Sequence, residues 1–199
     1  MALPSSYIRE PMRVVESAVT GKGQYVWILD NHWDFTTKER TYLGQLLYQA
    51  KYQGDDASLQ TLTTISKNAI RQIRQFGKND GNFARINGVV AVPSTSGDSG
   101  RRISVPPRIS AAVSTDLGIP DLSGNVLIRP GLRAAKLGAQ RTPEDFIVQD
   151  LPANAYLLVV DDLFSTGDTM SAIATKLQSQ GIQGCVGFAL TKVTKGLAN

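Results

Sequence analysis

Cysteine and histidine are scarce in this chain of 199 residues, which contains one of each. A single cysteine excludes an internal disulfide and a thiolate metal site. Cys185 stands in the apolar run CVGFAL, so we predict a buried structural thiol and not a nucleophile. No second histidine or cysteine accompanies His32, so we predict a loop residue that binds no metal, with a role as acid or base left open.

Long apolar runs are also absent, since none approaches the roughly 18 residues that a membrane span needs. The first residues lack the apolar centre of a secretory signal peptide. We therefore expect a cytoplasmic protein with no membrane association. Internal repeats and low-complexity segments are missing as well, and the length favours a single structural domain with one sizeable core.

The chain does have a basic balance, with a formal net charge of +4 at pH 7. Its composition, 42% hydrophobic and 19% charged, is typical of a globular protein. A basic balance suits a partner that is rich in phosphate. That partner is either a small phosphorylated substrate or a nucleic acid, and the charge alone does not separate the two.

The most informative stretch is 156–170, which reads YLLVVDDLFSTGDTM. Its apolar residues 157–160 predict a strand that is buried on both faces, as at the centre of a parallel sheet. Asp161 and Asp162 then stand at the carboxyl end of this strand, where open α/β sheets bind their ligands. The turn 165–169 combines a glycine with hydroxyl residues ahead of a predicted helix, so its N–H groups and hydroxyls can bind an anion.

This pattern resembles the phosphoribosyl pyrophosphate (PRPP) motif of the type I phosphoribosyltransferases: an apolar strand, two acids, two variable residues, then Ser/Thr-Thr-Gly and a threonine. The resemblance implies that Asp161 and Asp162 are the catalytic acids and bind the 2′ and 3′ hydroxyls of the ribose. It also implies that the loop binds the 5′-phosphate of PRPP through Ser165, Thr166, Gly167 and Thr169.

A simpler interpretation of the same stretch is a buried strand followed by a capped helix, with Asp168 or Thr169 as the cap. Two adjacent acids beside a buried strand are costly unless they have a function, which favours the ligand-binding interpretation. Asp168 departs from the family pattern, which usually has a small neutral residue at this place. A carboxylate there would repel a phosphate unless it points outward and caps the helix.

A second anion-binding loop is predicted at 93–102. Residues 86–92 are predicted to form the first strand of an α/β part, and the following PSTSGDSGRR is rich in small residues and ends in two arginines. Such a loop offers backbone N–H groups and cations to an anion, whereas a flexible surface loop is the alternative. The family resemblance implies a pyrophosphate site formed by Ser94, Thr95, Ser96, Arg101 and Arg102.

The segment 129–141 is basic and follows a predicted second core strand at 125–128. In the family that this chain resembles, a mobile loop at this place closes over the substrate and excludes water. The resemblance therefore assigns Arg133 and Lys136 to neutralising the leaving group. A short basic surface helix at 132–137 is the alternative interpretation.

The first 85 residues carry a predicted strand at 25–29 and two amphipathic helices, the first covering 43–50 and the second 59–76. The second helix has a basic face. Solvated cations near a helix C-terminus explain this face, and a nucleic-acid surface is the alternative. The face consists of Lys67, Arg71, Arg74 and Lys78.

Further helices are predicted at 108–117 and 169–180, and a last strand at 185–190. This order of elements suggests a parallel sheet with right-handed crossovers. The resemblance implies an α/β type I phosphoribosyltransferase fold, in which a Rossmann-like parallel sheet is flanked by helices. An N-terminal helical hood would occupy 1–85, and the phosphoribosyltransferase core would occupy 86–199.

Within the family, the stretch LLYQAKYQGD at 46–55 is similar to the ComF-type phosphoribosyltransferases, which carry an apolar helix, a Lys-Tyr pair and Gly-Asp upstream of the core. On this stretch the chain is closest to the ComF-type, amidophosphoribosyltransferase-like branch. It lacks the cysteine pairs of many such proteins, so we expect no zinc ribbon.

The resemblance implies a glycosyltransferase of nucleotide metabolism that binds PRPP with Mg²⁺ and transfers the phosphoribosyl group to a nitrogen nucleophile such as a nucleobase, releasing pyrophosphate. Mg²⁺ would reach the protein chiefly through substrate and water, with Asp161 and Asp162 as the nearest carboxylates. The alternative is a ComF-like PRPP-sensing or nucleic-acid-associated protein with little transferase activity. The family commonly pairs its subunits, which allows a homodimer and leaves the oligomeric state open. The sequence does not indicate the acceptor.

Overall fold

The computed structural model describes residues 12–16, 24–76, 83–94, 103–130 and 140–193. Within these ranges the chain forms seven strands: β1 (Met12–Glu16), β2 (Gln24–Asn31), β3 (Gly88–Ala91), β4 (Val126–Ile128), β5 (Phe146–Val148), β6 (Tyr156–Phe164) and β7 (Gly184–Lys192). Five of them form the main sheet in the order β1-β2-β7-β6-β3. Every neighbouring pair in this sheet is parallel except β1 and β2.

The predicted buried strand is β6, which lies inside the main sheet between β3 and β7. All four residues of 157–160 are buried, because helices cover both faces of the sheet at this strand. A continuous apolar run is what a parallel strand covered on both faces requires. The sequence-based prediction of a central parallel strand is therefore confirmed.

Helices flank the main sheet on both sides. Leu158 and Val160 of β6 belong to one apolar core, and Leu157 and Val159 belong to a second core on the other face, as the pleat of a strand dictates. No helix in the described ranges is both long and apolar enough to cross a membrane. The helices are α1 (Tyr42–Tyr48), α2 (Asp56–Phe76) and α3 (Val105–Leu117) on the first face, and α4 (Asp168–Ser179) on the second.

The other helices and strands that were predicted within the described ranges are present, with shifted ends, although the strand at 125–128 does not join the main sheet. Helix α3 begins at Val105, three residues before the predicted start. Pro106 and Pro107 fit into its first turn, because backbone N–H groups there have no partner within the helix and proline has no N–H to offer. Helix α1 continues into a π-helical turn, Gln49–Gln53, which ends at Gly54 in a left-handed conformation. The predicted α/β architecture of a parallel sheet flanked by helices is therefore confirmed.

The prediction of a second core strand at 125–128 is wrong. These residues form β4, which pairs only with β5, in an antiparallel sheet separate from the main one. The preceding residues already occupy the place beside β3, since the backbone of Val89 is hydrogen-bonded to the backbones of both Pro120 and Leu122. The hydroxyl of Ser123 accepts a hydrogen bond from the N–H of Ala91 and covers the rest of this edge.

The N-terminal part is not only helical. Strand β2 pairs in parallel with β7, and β1 pairs with β2, so both sides of the division predicted between residues 85 and 86 contribute strands to one sheet. Helices α1 and α2 cover the same face of that sheet as α3. The function of this part as a hood over a ligand stays a prediction.

Candidate functional site

The chain leaves β3 and β6 toward opposite faces of the sheet. After β3 it enters α3 on one face, and 120–122 then return alongside β3 in parallel. After β6 it enters α4 on the other face. Adjacent parallel strands with connections on opposite faces form a topological switch point, and the crevice beyond their carboxyl ends is where open α/β sheets bind ligands. The segments 93–102 and 161–169 both begin at this crevice.

Asp161 and Asp162 lie within β6, which continues past the predicted end at residue 160 to Phe164 because it stays paired with β7 as far as Lys192. Successive side chains of a strand point to opposite faces. The two carboxylates therefore lie on different sides of the sheet. Asp162 lies on the side of α1, α2 and α3, and Asp161 lies on the side of α4.

Asp162 forms a buried ion pair with Lys51, a residue of the π-helical turn. The Lys51 Nζ lies 2.7 Å from the Asp162 Oδ2, and the two residues are only 5% and 7% exposed. Sequence reasoning missed this contact, although a local signal existed. Lys51 follows the buried Leu47 by four residues, so it lies on the apolar face of the helix.

The start of α1 fixes the position of Lys51. The side chain of Thr41 caps the helix by accepting from the N–H of Gly44, and it donates to the carbonyl of Asn31 at the end of β2. Gly44 lies directly against the backbone of His32, and a β-carbon there would collide with the His32 carbonyl oxygen. This close approach holds the helix, and with it Lys51, against the carboxyl end of β2.

Asp161 has no cationic partner among the described residues, and it is partly exposed. Desolvation and, after it, the neighbouring negative charge of Asp162 together raise its pKa to about 7. The N–H of Asp162 donates to the Asp161 Oδ1 at 2.8 Å, and Lys51 opposes the rise electrostatically. Asp161 is therefore a carboxyl whose charge is available to change near neutral pH.

His32 follows β2 directly, as a residue outside regular structure, which confirms the predicted loop position. Its Nδ1 lies 3.2 Å from the Thr191 Oγ1. Burial lowers its pKa to about 4, and the positive charges of Arg40 and Lys51 act in the same direction. The imidazole is therefore neutral at physiological pH and does not compete with Lys51 for Asp162.

The predicted phosphate loop leads directly into α4. Gly167 is the N-cap residue, with a φ of 85° that favours glycine, and its carbonyl accepts from the N–H of Ser171. Ser165 and Thr169 are partly exposed and Thr166 is exposed. The structure thus places these four residues together at the N-terminus of a helix, the end at which N–H groups favour anions.

Asp168 does not cap α4, because the cap residue is Gly167 and Asp168 is the first residue of the helix. Its Oδ2 accepts a hydrogen bond of 2.6 Å from the hydroxyl of Thr166. The helix-cap interpretation of Asp168 is therefore wrong, and the same holds for Thr169. The proton of the Thr166 hydroxyl points at Asp168 in this arrangement and not at a ligand.

The described part of the predicted pyrophosphate loop is its beginning. The N–H of Val92 still donates to the carbonyl of Val160, so Pro93 and Ser94 leave the sheet level with the acid pair. The Ser94 hydroxyl is exposed and lies 3.4 Å from that of Ser104. The other residues assigned to leaving-group binding lie outside the described ranges: Thr95, Ser96, Arg101, Arg102, Arg133 and Lys136.

The basic face of α2 is partly neutralised. Arg71 forms a two-point ion pair with Asp116 of α3, in which the Nε lies 2.7 Å from the Oδ2. Lys67 and Arg74 are partly exposed, and Lys78 lies outside the described ranges. The pairing of Arg71 gives this face a structural task, which is to join two helices of the same layer.

Cys185 packs against the core on the α4 face as a free thiol. Burial raises its pKa to about 12, so the thiolate is not formed at neutral pH. The prediction of a structural thiol agrees with this environment.

No family model matches the sequence, and no curated protein matches it either. Solved structures that are similar to this chain include phosphoribosyltransferases. An adenine phosphoribosyltransferase from Trypanosoma brucei, in complex with AMP, pyrophosphate and ribose-5-phosphate, is 10% identical, with 94% of this chain and 89% of that chain covered and a TM-score of 0.44.

An orotate phosphoribosyltransferase from Aeropyrum pernix is 20% identical over 82% of this chain and 73% of that chain, with a TM-score of 0.42. An adenine phosphoribosyltransferase from Thermoanaerobacter pseudethanolicus is 16% identical over 92% and 96% of the two chains, with a TM-score of 0.39. At these TM-scores the likenesses add no weight to a functional assignment, which rests on the geometry of the crevice.

Proposed function

We propose that this chain is a phosphoribosyltransferase of the type I fold, which binds PRPP with Mg²⁺ and transfers the phosphoribosyl group to a nitrogen nucleophile with release of pyrophosphate. One observation carries the proposal. The acid pair and the hydroxyl-rich turn at 165–169, which begins three residues after Asp162, both lie at the topological switch point between β3 and β6.

The chemistry of these two groups matches the two ends of a ribose 5-phosphate. Carboxylates accept hydrogen bonds from the vicinal hydroxyls of a sugar. Ser165, Gly167 and Thr169 offer backbone N–H groups and hydroxyls to a phosphate at the N-terminus of α4. A ligand that satisfies both must carry an anion and hydroxyls a few ångströms apart, as the sugar phosphate of PRPP does.

The transfer itself requires little covalent chemistry from the protein. The bond between the ribose C1 and pyrophosphate breaks, pyrophosphate leaves with the electron pair, and the nitrogen nucleophile forms the new bond to C1 and loses a proton. Positioning of the sugar and stabilisation of charge supply the acceleration. The basic segments 95–102 and 131–139 are proposed to neutralise pyrophosphate, with Arg101, Arg102, Arg133 and Lys136 as the cations.

Mg²⁺ fits this site as a substrate-bound ion. In the described part of the chain, no group of three or more His, Cys, Asp or Glu residues could form an all-protein metal site. Mg²⁺ is typically held by one or two carboxylates together with substrate phosphates and water. Asp161, which is partly exposed and has no cationic partner in the described ranges, is the oxygen donor that suits it. The ion would supply charge neutralisation for the leaving pyrophosphate.

The stretch similar to the ComF-type branch takes part in this site. Residues 46–55 include Lys51, which forms the ion pair with Asp162. The placement of the chain near that branch is a proposal from the sequence of this stretch, and the contact joins the stretch to the acid pair.

Two measurements test the proposal together. Titration calorimetry with PRPP, with and without Mg²⁺, measures binding, and release of pyrophosphate across a panel of nucleobases measures transfer. We expect Mg²⁺-dependent binding, and release with at least one nitrogen acceptor. The double variant Asp161→Asn/Asp162→Asn should lose both, whereas Asp150→Asn, an exposed carboxylate before the amino end of β6, should lose neither.

The pattern of results separates the rival functions. Binding of PRPP without release of pyrophosphate from any acceptor would favour a PRPP-sensing protein. A salt-dependent interaction with single-stranded DNA, in the absence of PRPP binding, would favour a nucleic-acid-associated protein. Unchanged PRPP binding in the double variant would contradict the assignment of the site.

A further inference from the structure

We propose that Lys51 is a positioning residue of the phosphoribosyl site, which holds Asp162 on the face of the sheet that α1, α2 and α3 cover and thereby leaves Asp161 as the acid that receives the ribose hydroxyls. This inference rests on the proposed function. The proposed function lets both acids bind the ribose hydroxyls, whereas the inference assigns the two acids different tasks.

The ion pair is well suited to fixing a carboxylate. The Lys51 Nζ and the Asp162 Oδ2 are 2.7 Å apart, and the two side chains are 7% and 10% exposed. Removing one partner of such a pair leaves the charge of the other partner uncompensated in the protein interior, which is strongly unfavourable. Asp162 therefore keeps its place, and its carboxylate is not free to follow a ligand.

Asp161 has the properties that Asp162 lacks. It is partly exposed and has no cationic partner in the described ranges, and its side of the sheet is the side of α4. The loop 165–169 begins α4 on that same side. A ribose whose phosphate occupies this loop therefore meets Asp161 before it meets Asp162.

Lys51 also contacts the residue that follows the second predicted ligand-binding segment. Its carbonyl accepts from the N–H of Ile103 at 3.5 Å, and Ile103 directly follows the predicted pyrophosphate loop. One residue thus contacts Asp162 through its side chain and Ile103 through its backbone.

The π-helical turn that carries Lys51 is fixed independently of any ligand. Gly54 closes it with a φ of 73°, and its N–H bonds to the carbonyl of Gln49. The side chain of Gln49 accepts from the hydroxyl of Ser58 in the first turn of α2. π-helical turns are rare and occur frequently at functional sites. Here the turn itself carries the lysine that contacts a carboxylate of β6.

The test compares PRPP affinity, with Mg²⁺ present, in Lys51→Met, Asp162→Asn, their double variant and Asp161→Asn. We expect Lys51→Met and Asp162→Asn each to weaken binding on the order of 10-fold to 100-fold, by analogy with the residues that orient metal-binding side chains. The double variant should bind no more weakly than Asp162→Asn alone, because Lys51 acts through Asp162. Asp161→Asn should weaken binding most of all.

A matched control is Lys176→Met, which removes a partly exposed lysine from the last turn of α4, at the end away from the crevice. It should bind PRPP as the unmodified chain does. The thermal unfolding midpoint of each variant shows that it is folded at the titration temperature. Should Lys51→Met fail to fold, the double variant, which removes both buried charges, carries the comparison.

The outcomes separate this inference from the proposed function. An unmodified chain that does not bind PRPP refutes both. Binding by the unmodified chain together with unchanged affinity in folded Lys51→Met overturns the role of Lys51 alone, since the ion pair would then be purely structural. Loss of binding in Asp162→Asn with full binding in Asp161→Asn reverses the two acids and also overturns the inference.

Discussion

Lys51 and Asp162 are separated by 111 positions in the sequence, yet the ammonium of one lies 2.7 Å from the carboxylate of the other in the interior of the protein. The pair joins the helical layer of the N-terminal part to the strand that carries the acid pair. It therefore couples the stability of that layer to the geometry of the candidate ligand site.

The ion pair predicts a stability effect that depends on which partner is removed. Lys51→Met should lower the free energy of unfolding by about 3–5 kcal/mol, because Asp162 is left as a buried uncompensated charge. The double variant Lys51→Met/Asp162→Leu should be closer to the unmodified chain, since both charges are removed together. Urea unfolding at pH 7 measures these free energies. A double variant that loses the sum of both single effects would contradict the pairing.

Asp161 and His32 predict opposite pH dependences of stability. The pKa of Asp161 is raised from 3.8 to about 7 by folding, so the folded state holds an extra proton in that range and stability falls as pH rises. The pKa of His32 is lowered from 6.5 to about 4, so the unfolded state holds the extra proton and stability rises with pH. Between pH 4 and 6.5 the two contributions oppose each other.

Single variants should therefore reveal how each of the two residues changes stability with pH. Relative to the unmodified chain, Asp161→Asn should gain stability as the pH rises from 4 to 7, whereas His32→Gln should lose stability as the pH rises from 4 to 6.5. Thermal unfolding across this range measures both differences. The charged groups facing His32 are Arg40, Lys51 and Asp162, and they are unchanged in both variants. If the stability of the two variants, relative to the unmodified chain, changed with pH in the same direction, the pKa shifts assigned to Asp161 and His32 would be contradicted.

Asp168 predicts a gain of ligand affinity on neutralisation. Asp168→Asn removes a negative charge beside the phosphate loop and leaves the Thr166 hydroxyl with an amide oxygen, a weaker acceptor than a carboxylate. PRPP should bind about two- to fivefold more tightly, which corresponds to the energy of a partly solvated charge contact. Titration calorimetry measures this, with Asp150→Asn as the control. Weaker binding in Asp168→Asn would show that the carboxylate supports the loop and does not oppose the ligand.

Gly44 predicts a steric effect that depends on position. Gly44→Ala places a β-carbon against the backbone carbonyl of His32, where no side chain can move aside. We expect a loss of about 1–3 kcal/mol in the free energy of unfolding. Gly124→Ala, where a β-carbon meets nothing within 4 Å, should change stability by less than about 0.5 kcal/mol. Equal effects at the two positions would mean that α1 does not rest on the end of β2.

The sequence predicted those parts of the fold whose signals are local. The run 157–160 is buried on both faces as its composition required, and Gly167 sits at the turn into a helix. The ion pair of Lys51 was not predicted, because a contact between distant segments leaves no trace in the spacing of neighbouring residues. The apolar neighbours of Lys51 pointed to burial, but they did not identify its partner.

The wrong predictions of a core strand at 125–128 and of a helix cap at Asp168 have physical causes. Residues 125–128 have the composition of a core strand, but 120–122 and Ser123 already occupy the edge of β3, so β4 pairs with β5 instead. Asp168 has the residue type of a helix cap, but Gly167 takes that position because its left-handed conformation turns the chain into α4. In both cases backbone geometry determines the local structure, and residue type alone does not encode that geometry.

The most direct measurement is a calorimetric titration of PRPP into the unmodified chain and into Asp161→Asn, each with Mg²⁺ present. The crevice between β3 and β6 predicts saturable binding to the unmodified chain and a large loss of affinity in the variant, with the fold unchanged by thermal unfolding. No binding to the unmodified chain, or equal binding to both proteins, would contradict the assignment of this crevice as a phosphoribosyl site.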